Sequence, residues 1–141
     1  MAGLVQHALE RALIEDRLQL KDLPGAWNEF MRALLGIAPP DNRQGCLQDI
    51  HWYDGAFGYF PTYTLGAMTA AQLFQAATAQ DAAIRPGLAK GDFTPLLGWL
   101  RTNVHARASS VSAAELLTDA TGKPLDTDAF QRHLQTRYLA D

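Results

Sequence analysis

No single repeating element accommodates residues 45 to 63, and that stretch constrains the rest of the chain. It holds Gly45, Gly55 and Gly58 together with Trp52, Tyr53, Phe57, Tyr59, Phe60 and Tyr63. The glycines of Tyr53-Asp54-Gly55-Ala56-Phe57-Gly58 accept backbone conformations that end regular structure, so this segment is expected to be irregular. Gly45 to Trp52 has a short helical pattern, from which Leu47, Ile50 and Trp52 are expected to turn inward. An irregular aromatic segment that also carries Gln48, Asp49 and His51 has the composition of a site, and loops held by helices are where sites are usually built.

The flanking sequence supplies the helices. Leu9, Ala12, Leu13 and Leu18 fall near helical spacing between about Leu4 and Leu18, with Glu10, Arg11, Glu15 and Asp16 on the remaining surface. Asp22-Leu23-Pro24 opens a second helix, because proline is tolerated in the first turn. Trp27, Phe30, Met31, Leu34 and Leu35 give it an apolar stripe at i, i+3, i+4, i+7 and i+8, and Gly36 closes it. Pro39-Pro40 marks a loop that leads into the aromatic stretch. After Pro61 a long helix is expected from Thr62 to about Ala79, with Leu65, Met68, Gln72 and Leu73 as its seam.

Asp81 to Gly91 contains Pro86-Gly87 and reads as a turn-rich connection. Thr94 and Pro95 open a further helix with Leu96, Leu97, Leu100 and Val104 buried and Trp99 off the seam. Ser112-Ala113-Ala114-Glu115 is a capping box, and Asp126 caps a last helix carrying Phe130, Leu134 and Tyr138. The expectation is an all-α, compact bundle of about six or seven helices, with residues 1–141 forming a single helical unit around an irregular aromatic and glycine-rich loop.

Composition removes several function classes. A net charge of −3 with acidic and basic residues interspersed offers no basic stripe for nucleic acid and no polybasic cluster for an anionic membrane. Apolar runs are too short for a transmembrane segment. With 48% apolar residues the chain can build a core. Its one cysteine, Cys46, has no internal disulfide partner and reads as a small buried hydrophobe, so a reducing, cytoplasmic setting is expected.

The run Gly45-Cys46-Leu47-Gln48-Asp49-Ile50-His51-Trp52 resembles the Gly-x-x-Gln-Asp-x-His-Trp signature of the M32, or carboxypeptidase Taq type, zinc metallocarboxypeptidases. Phe57-Gly58-Tyr59-Phe60-Pro61-Thr62-Tyr63 is similar to that family's continuation. Leu9 to Ile14, Leu20 to Asn28 and the segments near Glu115 and Gly122 also look like the family, whereas Gln6 stands where the family has an arginine. The resemblance implies a C-terminal portion of a helical peptidase that removes C-terminal residues from peptides.

It also implies zinc (or cobalt) in the full-length family, held by a His-Glu-x-x-His helix and a further glutamate. The histidines here are His7, His51, His105 and His133, with no pair four residues apart, so no metal ligand set is expected in this chain. A catalytic zinc takes three protein ligands and keeps one position open. The metal-bearing N-terminal half is therefore the missing partner. A cut piece of a larger body is also expected to self-associate as a homo-oligomer.

As the resemblance implies, His51 and Tyr59 are the catalytic candidates, an imidazole and a phenolic donor near the charge that develops on a scissile carbonyl. Tyr59 is preferred to Tyr63, which falls in the first turn of the long helix. Gln48 and Asp49 either touch substrate or orient His51, with Asp49 favoured for the second role. Trp52 and Tyr63 stand as pocket walls or supports. Nothing singles out Arg43, Arg85, Arg101 or Arg107 as the partner of a substrate carboxylate. The rival reading is a non-catalytic helical module that holds a peptide or partner in an aromatic cleft around Tyr53, Phe57 and Tyr59.

Overall fold

The structure, a computed structural model, describes residues 2–107 and 109–139. Among the described residues every regular element is helical: α1 (Ala2–Ile14), α2 (Leu23–Leu35), α3 (Ile50–Tyr53), α4 (Pro61–Gln80), α5 (Ile84–Ala89), α6 (Thr94–Leu100), α7 (Ala113–Thr121) and α8 (Asp128–Leu134). Both α6 and α8 run on into a π-helical turn, Arg101–His105 and Gln135–Leu139. Contacts cluster into two compact units, Met1–Leu65 and Gly66–Asp141.

The first unit is built on α1 and α2. Val5, Leu9, Trp27 and Cys46 form its buried centre, with Leu18, Leu23, Ala26, Met31 and Trp52 packed against them. Helix α1 ends earlier than the sequence pattern suggests. Asp16 takes a left-handed φ of 55°, and the amides of Arg17 and Leu18 turn back to the Ala12 carbonyl, which stops the helix at Ile14. Gly36 closes α2 as expected, at φ 72°. Burial holds the Cys46 thiol above its usual range, which with its inaccessibility makes it a packing group rather than a nucleophile.

The second unit centres on Ala77, Ile84, Trp99 and Ala120, surrounded by Leu73, Phe74, Leu88, Leu96, Leu100 and Val104. Three sequence expectations are corrected here. Residues 84–89 form a short helix, because Pro86 lies in its first turn, where no amide donor is needed. Thr94 does not cap α6; the Asp92 carboxyl accepts the Thr94 amide at 2.9 Å, and hydrogen bonding from the Thr94 hydroxyl, then from that amide, draws the Asp92 carboxyl below the usual carboxylate range. Trp99 is buried, and its indole N–H donates to Gln80 Oε1 at 2.8 Å, whereas Leu97, assigned to the seam, is 41% exposed.

The end of α7 is fixed by polar chemistry. Ser112 and Glu115 make the reciprocal capping box read from the sequence, and Gly122 ends the helix at φ 81°. Gln72 on α4 is fully buried and spends its amide on the turn that follows α7. Its Nε2 donates to Thr121 Oγ1 and to the carbonyls of Lys123 and Pro124, and its Oε1 accepts the Asp126 amide. An interior amide so completely partnered fixes one conformation of residues 121–126. Asp126 also accepts the Asp128 amide at the start of α8.

Candidate active site

Residues 41–63 of the first unit carry the site. Asp41 caps a 3₁₀ turn by accepting the Gln44 amide. The chain then passes Gly45 so close to the Asp41 carbonyl and the Pro39 ring that an added Cβ would meet Pro39 Cγ at 2.8 Å. Only glycine fits that crossing, which accounts physically for the first position of the signature. At the other end Gly58 turns the chain at φ 80°, a region L side chains disfavour, and delivers Tyr59 and Phe60 to the start of α4.

Asp49 sits between the two turns with its side chain fully buried. One oxygen, Oδ1, accepts the His51 backbone amide at 2.8 Å, capping α3, and lies 3.2 Å from His51 Nδ1. The other, Oδ2, accepts from Gln6 Nε2 of α1 at 2.9 Å. On the far side of the imidazole, Nε2 lies 3.2 Å from the Tyr63 hydroxyl. Because a carboxylate only accepts, Nδ1 is the donor toward Asp49, and neutral His51 presents a bare Nε2 to Tyr63.

Aromatic rings enclose the imidazole. Tyr59 stacks on it with centroids 5.2 Å apart and planes 23° from parallel, while Phe60, itself buried, meets it edge-on at 4.8 Å. Tyr59 and Tyr63 meet edge-to-face at 5.4 Å. The His51 side chain keeps 27% of its surface exposed, and both tyrosines are open to solvent, so the group faces outward rather than into a packed interior.

Asp49, His51, Tyr59 and Tyr63 are therefore brought together. Gln48 is not: its amide donates to the Arg43 carbonyl and braces the preceding turn. Trp52 faces away from the imidazole, packing edge-on against Trp27 and stacked with Phe57, and its indole N–H donates to Glu10 Oε1 at 3.0 Å. The helical pattern puts Glu10 on the solvent face of α1, yet it is 2% exposed. No local signal marks it, because its burial depends on an indole 42 residues away.

An imidazole fixed in one tautomer beside phenolic hydroxyls is acid–base equipment. A metal is another matter. Among the described residues no group of three His, Cys, Asp or Glu side chains is placed to hold an ion. A catalytic zinc takes three protein ligands, and the described residues do not bring such a set together.

Comparison with known proteins gives this helical, His-bearing chain its class. The family model of the carboxypeptidase Taq (M32) metallopeptidases matches residues 4–138, and the chain belongs to that family. It is 44% identical over 137 residues to thermostable carboxypeptidase 1 of Thermus thermophilus, and 40% identical over 136 residues to that of Pyrococcus furiosus. Those matches cover 97% and 96% of this chain but 27% of each relative, so the chain spans about a quarter of their length.

Among solved structures, Trypanosoma cruzi metallocarboxypeptidase 1 superposes with a TM-score of 0.92 at 36% identity, covering 98% of this chain and 29% of that one. The M32 carboxypeptidase from Deinococcus radiodurans gives a TM-score of 0.92 at 34% identity, with 96% and 28% covered. The all-α fold expected from the sequence is thereby shown. No helix among the described residues is long and apolar enough to cross a membrane.

Proposed function

We propose that this chain is the C-terminal portion of a metal-dependent carboxypeptidase and supplies one wall of its catalytic cleft. The observation that carries the reading is the array Asp49–His51–Tyr63, with Tyr59 stacked on the imidazole, in a chain that belongs to a metallopeptidase family. Peptide hydrolysis places negative charge on the scissile carbonyl oxygen, and donors already aimed at that position lower the barrier. Tyr59 is a donor in this proposal through its hydroxyl, and His51 becomes the second donor when a proton taken up on Nε2 makes it an imidazolium whose Nδ1–H stays on Asp49. Tyr63 is committed to His51 Nε2, whereas the Tyr59 hydroxyl makes no hydrogen bond among the described residues and remains able to meet substrate.

Asp49 supports the array by fixing the imidazole tautomer. Gln48 and Trp52 act further back, bracing the turns on either side. In this account residues 1–141 serve as one helical unit of the larger peptidase. The zinc or cobalt that a metallopeptidase requires would come with the metal-bearing N-terminal half, and no step of the reaction is assigned here to it. The cytoplasm is the proposed location, on the single unpaired thiol.

Two measurements check the proposal. The purified chain with added zinc or cobalt is expected to release no C-terminal amino acid from peptides. Mixed with a separately produced metal-bearing half of the enzyme, it is expected to recover release. Activity of the chain alone, or none from the mixture despite binding, would count against it. The exposed apolar side chains Ile14, Leu20, Ile37, Ile50, Tyr53 and Leu139 also lead us to expect self-association. Sedimentation should show a mass above the monomer at high concentration; a clean monomer would contradict this.

The second reading is a binding module without chemistry, which the exposure of Tyr53, Phe57, Tyr59 and Tyr63 favours. Peptide binding by the isolated chain, unchanged when His51 is replaced by alanine and with no activity in the mixture, would select it.

A further inference from the structure

Glu10 stands out among the groups that this function does not use, because it is a buried acid with no cationic partner among the described residues. Its nearest basic neighbour in sequence, Arg11, points instead to Glu15. Both Glu10 oxygens are nonetheless occupied. Oε1 accepts the Trp52 indole N–H at 3.0 Å, and Oε2 accepts the Gly58 backbone amide at 3.2 Å.

The positions of those two donors matter. Trp52 directly follows His51, and Gly58 directly precedes Tyr59. Glu10 thus holds both ends of the irregular segment that separates the imidazole from the phenol stacked on it. Within the segment the Ala56 amide reaches the His51 carbonyl and the Gly55 amide reaches the Trp52 carbonyl, which ties the loop to the short helix α3 but to neither α1 nor α2. Glu10 provides the anchor to α1. One turn earlier on the same face of α1, Gln6 holds Asp49 Oδ2.

We propose that Glu10 is a positioning residue: through Trp52 and Gly58 it sets the distance and stacking of His51 and Tyr59, and with Gln6 it makes one face of α1 the template of the site. This rests on the reading of His51 and Tyr59 given above. The chemistry also requires an acid at this position. Two N–H donors converge on one side chain, and a carboxyl group can accept both, one on each oxygen. An amide of the same shape offers a single acceptor and would turn its own N–H groups on the second donor.

The test uses the 141-residue chain and nitrogen-resolved NMR. In the unsubstituted chain the Trp52 indole proton and the Gly58 amide are expected to exchange slowly and together. In Glu10→Gln helix content should be retained, the Trp52 indole or Gly58 amide should exchange on the order of tenfold faster, and the ring resonances of His51 and Tyr59 should shift as their stacking loosens. Glu15→Gln, an exposed change on the same helix, should alter none of these.

A folded Glu10→Gln with unchanged Trp52, Gly58, His51 and Tyr59 signals would overturn the proposal. Should that variant not fold, unprotected Trp52 and Gly58 protons in the unsubstituted chain would overturn it equally, and joint protection would uphold it. None of these readouts involves peptide cleavage, so a failure of the peptidase reading shows up separately, as a mixture that binds but does not cleave.

Discussion

Replacing Trp99 with alanine is expected to lower the stability of the second unit by about 3–5 kcal/mol, the usual cost of removing a buried aromatic ring from a packed core. Trp99 is 8% exposed and lies in one cluster with Ala77, Ile84 and Ala120. The substitution also strips Gln80 Oε1 of its indole donor, but Gln80 is exposed and water can replace that bond. The loss is therefore mostly cavity and transfer free energy. Native domains are stable by only about 5–15 kcal/mol, so the variant should melt at a much lower temperature or be partly unfolded at 25 °C. Leu97→Ala, two residues away on the same helix and 41% exposed, should change stability by about 0.5 kcal/mol or less. Thermal or urea unfolding of both variants decides the point, and equal losses would contradict this placement of the core.

The second large effect concerns catalysis. In the peptidase reassembled with its metal-bearing half, His51→Ala is expected to reduce kcat by about 10²- to 10³-fold, the range seen when one preorganised donor is lost from an oxyanion site. KM should change little, because an interaction made chiefly in the transition state is removed without loss of ground-state binding. Tyr59→Phe should produce a loss of the same kind. Tyr63→Phe should act more mildly, since its hydroxyl meets His51 rather than open space. A reassembled His51→Ala enzyme with unchanged kcat would remove His51 from the chemistry.

Much of the architecture could be read from local chemistry. The capping box at Ser112 and Glu115, the end of α2 at Gly36 and the restart at Pro61 each depend on residues a turn or less apart, and all three stand as read. Asp49 beside His51 was legible for the same reason, two residues separating the cap from the imidazole it holds. The burial of Trp99 is compatible with the helical pattern but not selected by it. Positions 96, 99, 100 and 104 follow helical spacing as well as 96, 97, 100 and 104 do, and apolarity alone does not choose between two overlapping stripes.

Glu10 was not readable. A charged residue on an amphipathic helix belongs to the solvent face unless a distant donor claims it, and the claimants here lie 42 and 48 residues away. The pairing of Gln6 with Asp49 is hidden in the same way, across 43 residues. The signature points to Asp49, His51, Tyr59 and Tyr63, which lie together, and equally to Gln48 and Trp52, which do not; the helix that holds them depends on tertiary contacts.

The most direct test of the central claim is the state of the His51 ring in this chain with the imidazole neutral, read from long-range proton–nitrogen NMR. A buried Asp49 carboxyl on one side and the Tyr63 hydroxyl on the other should hold the proton on Nδ1 and leave Nε2 as a hydrogen-bonded acceptor. A ring that carries its proton on Nε2, or averages freely between the two forms, would show that Asp49, His51 and Tyr63 do not act as one array.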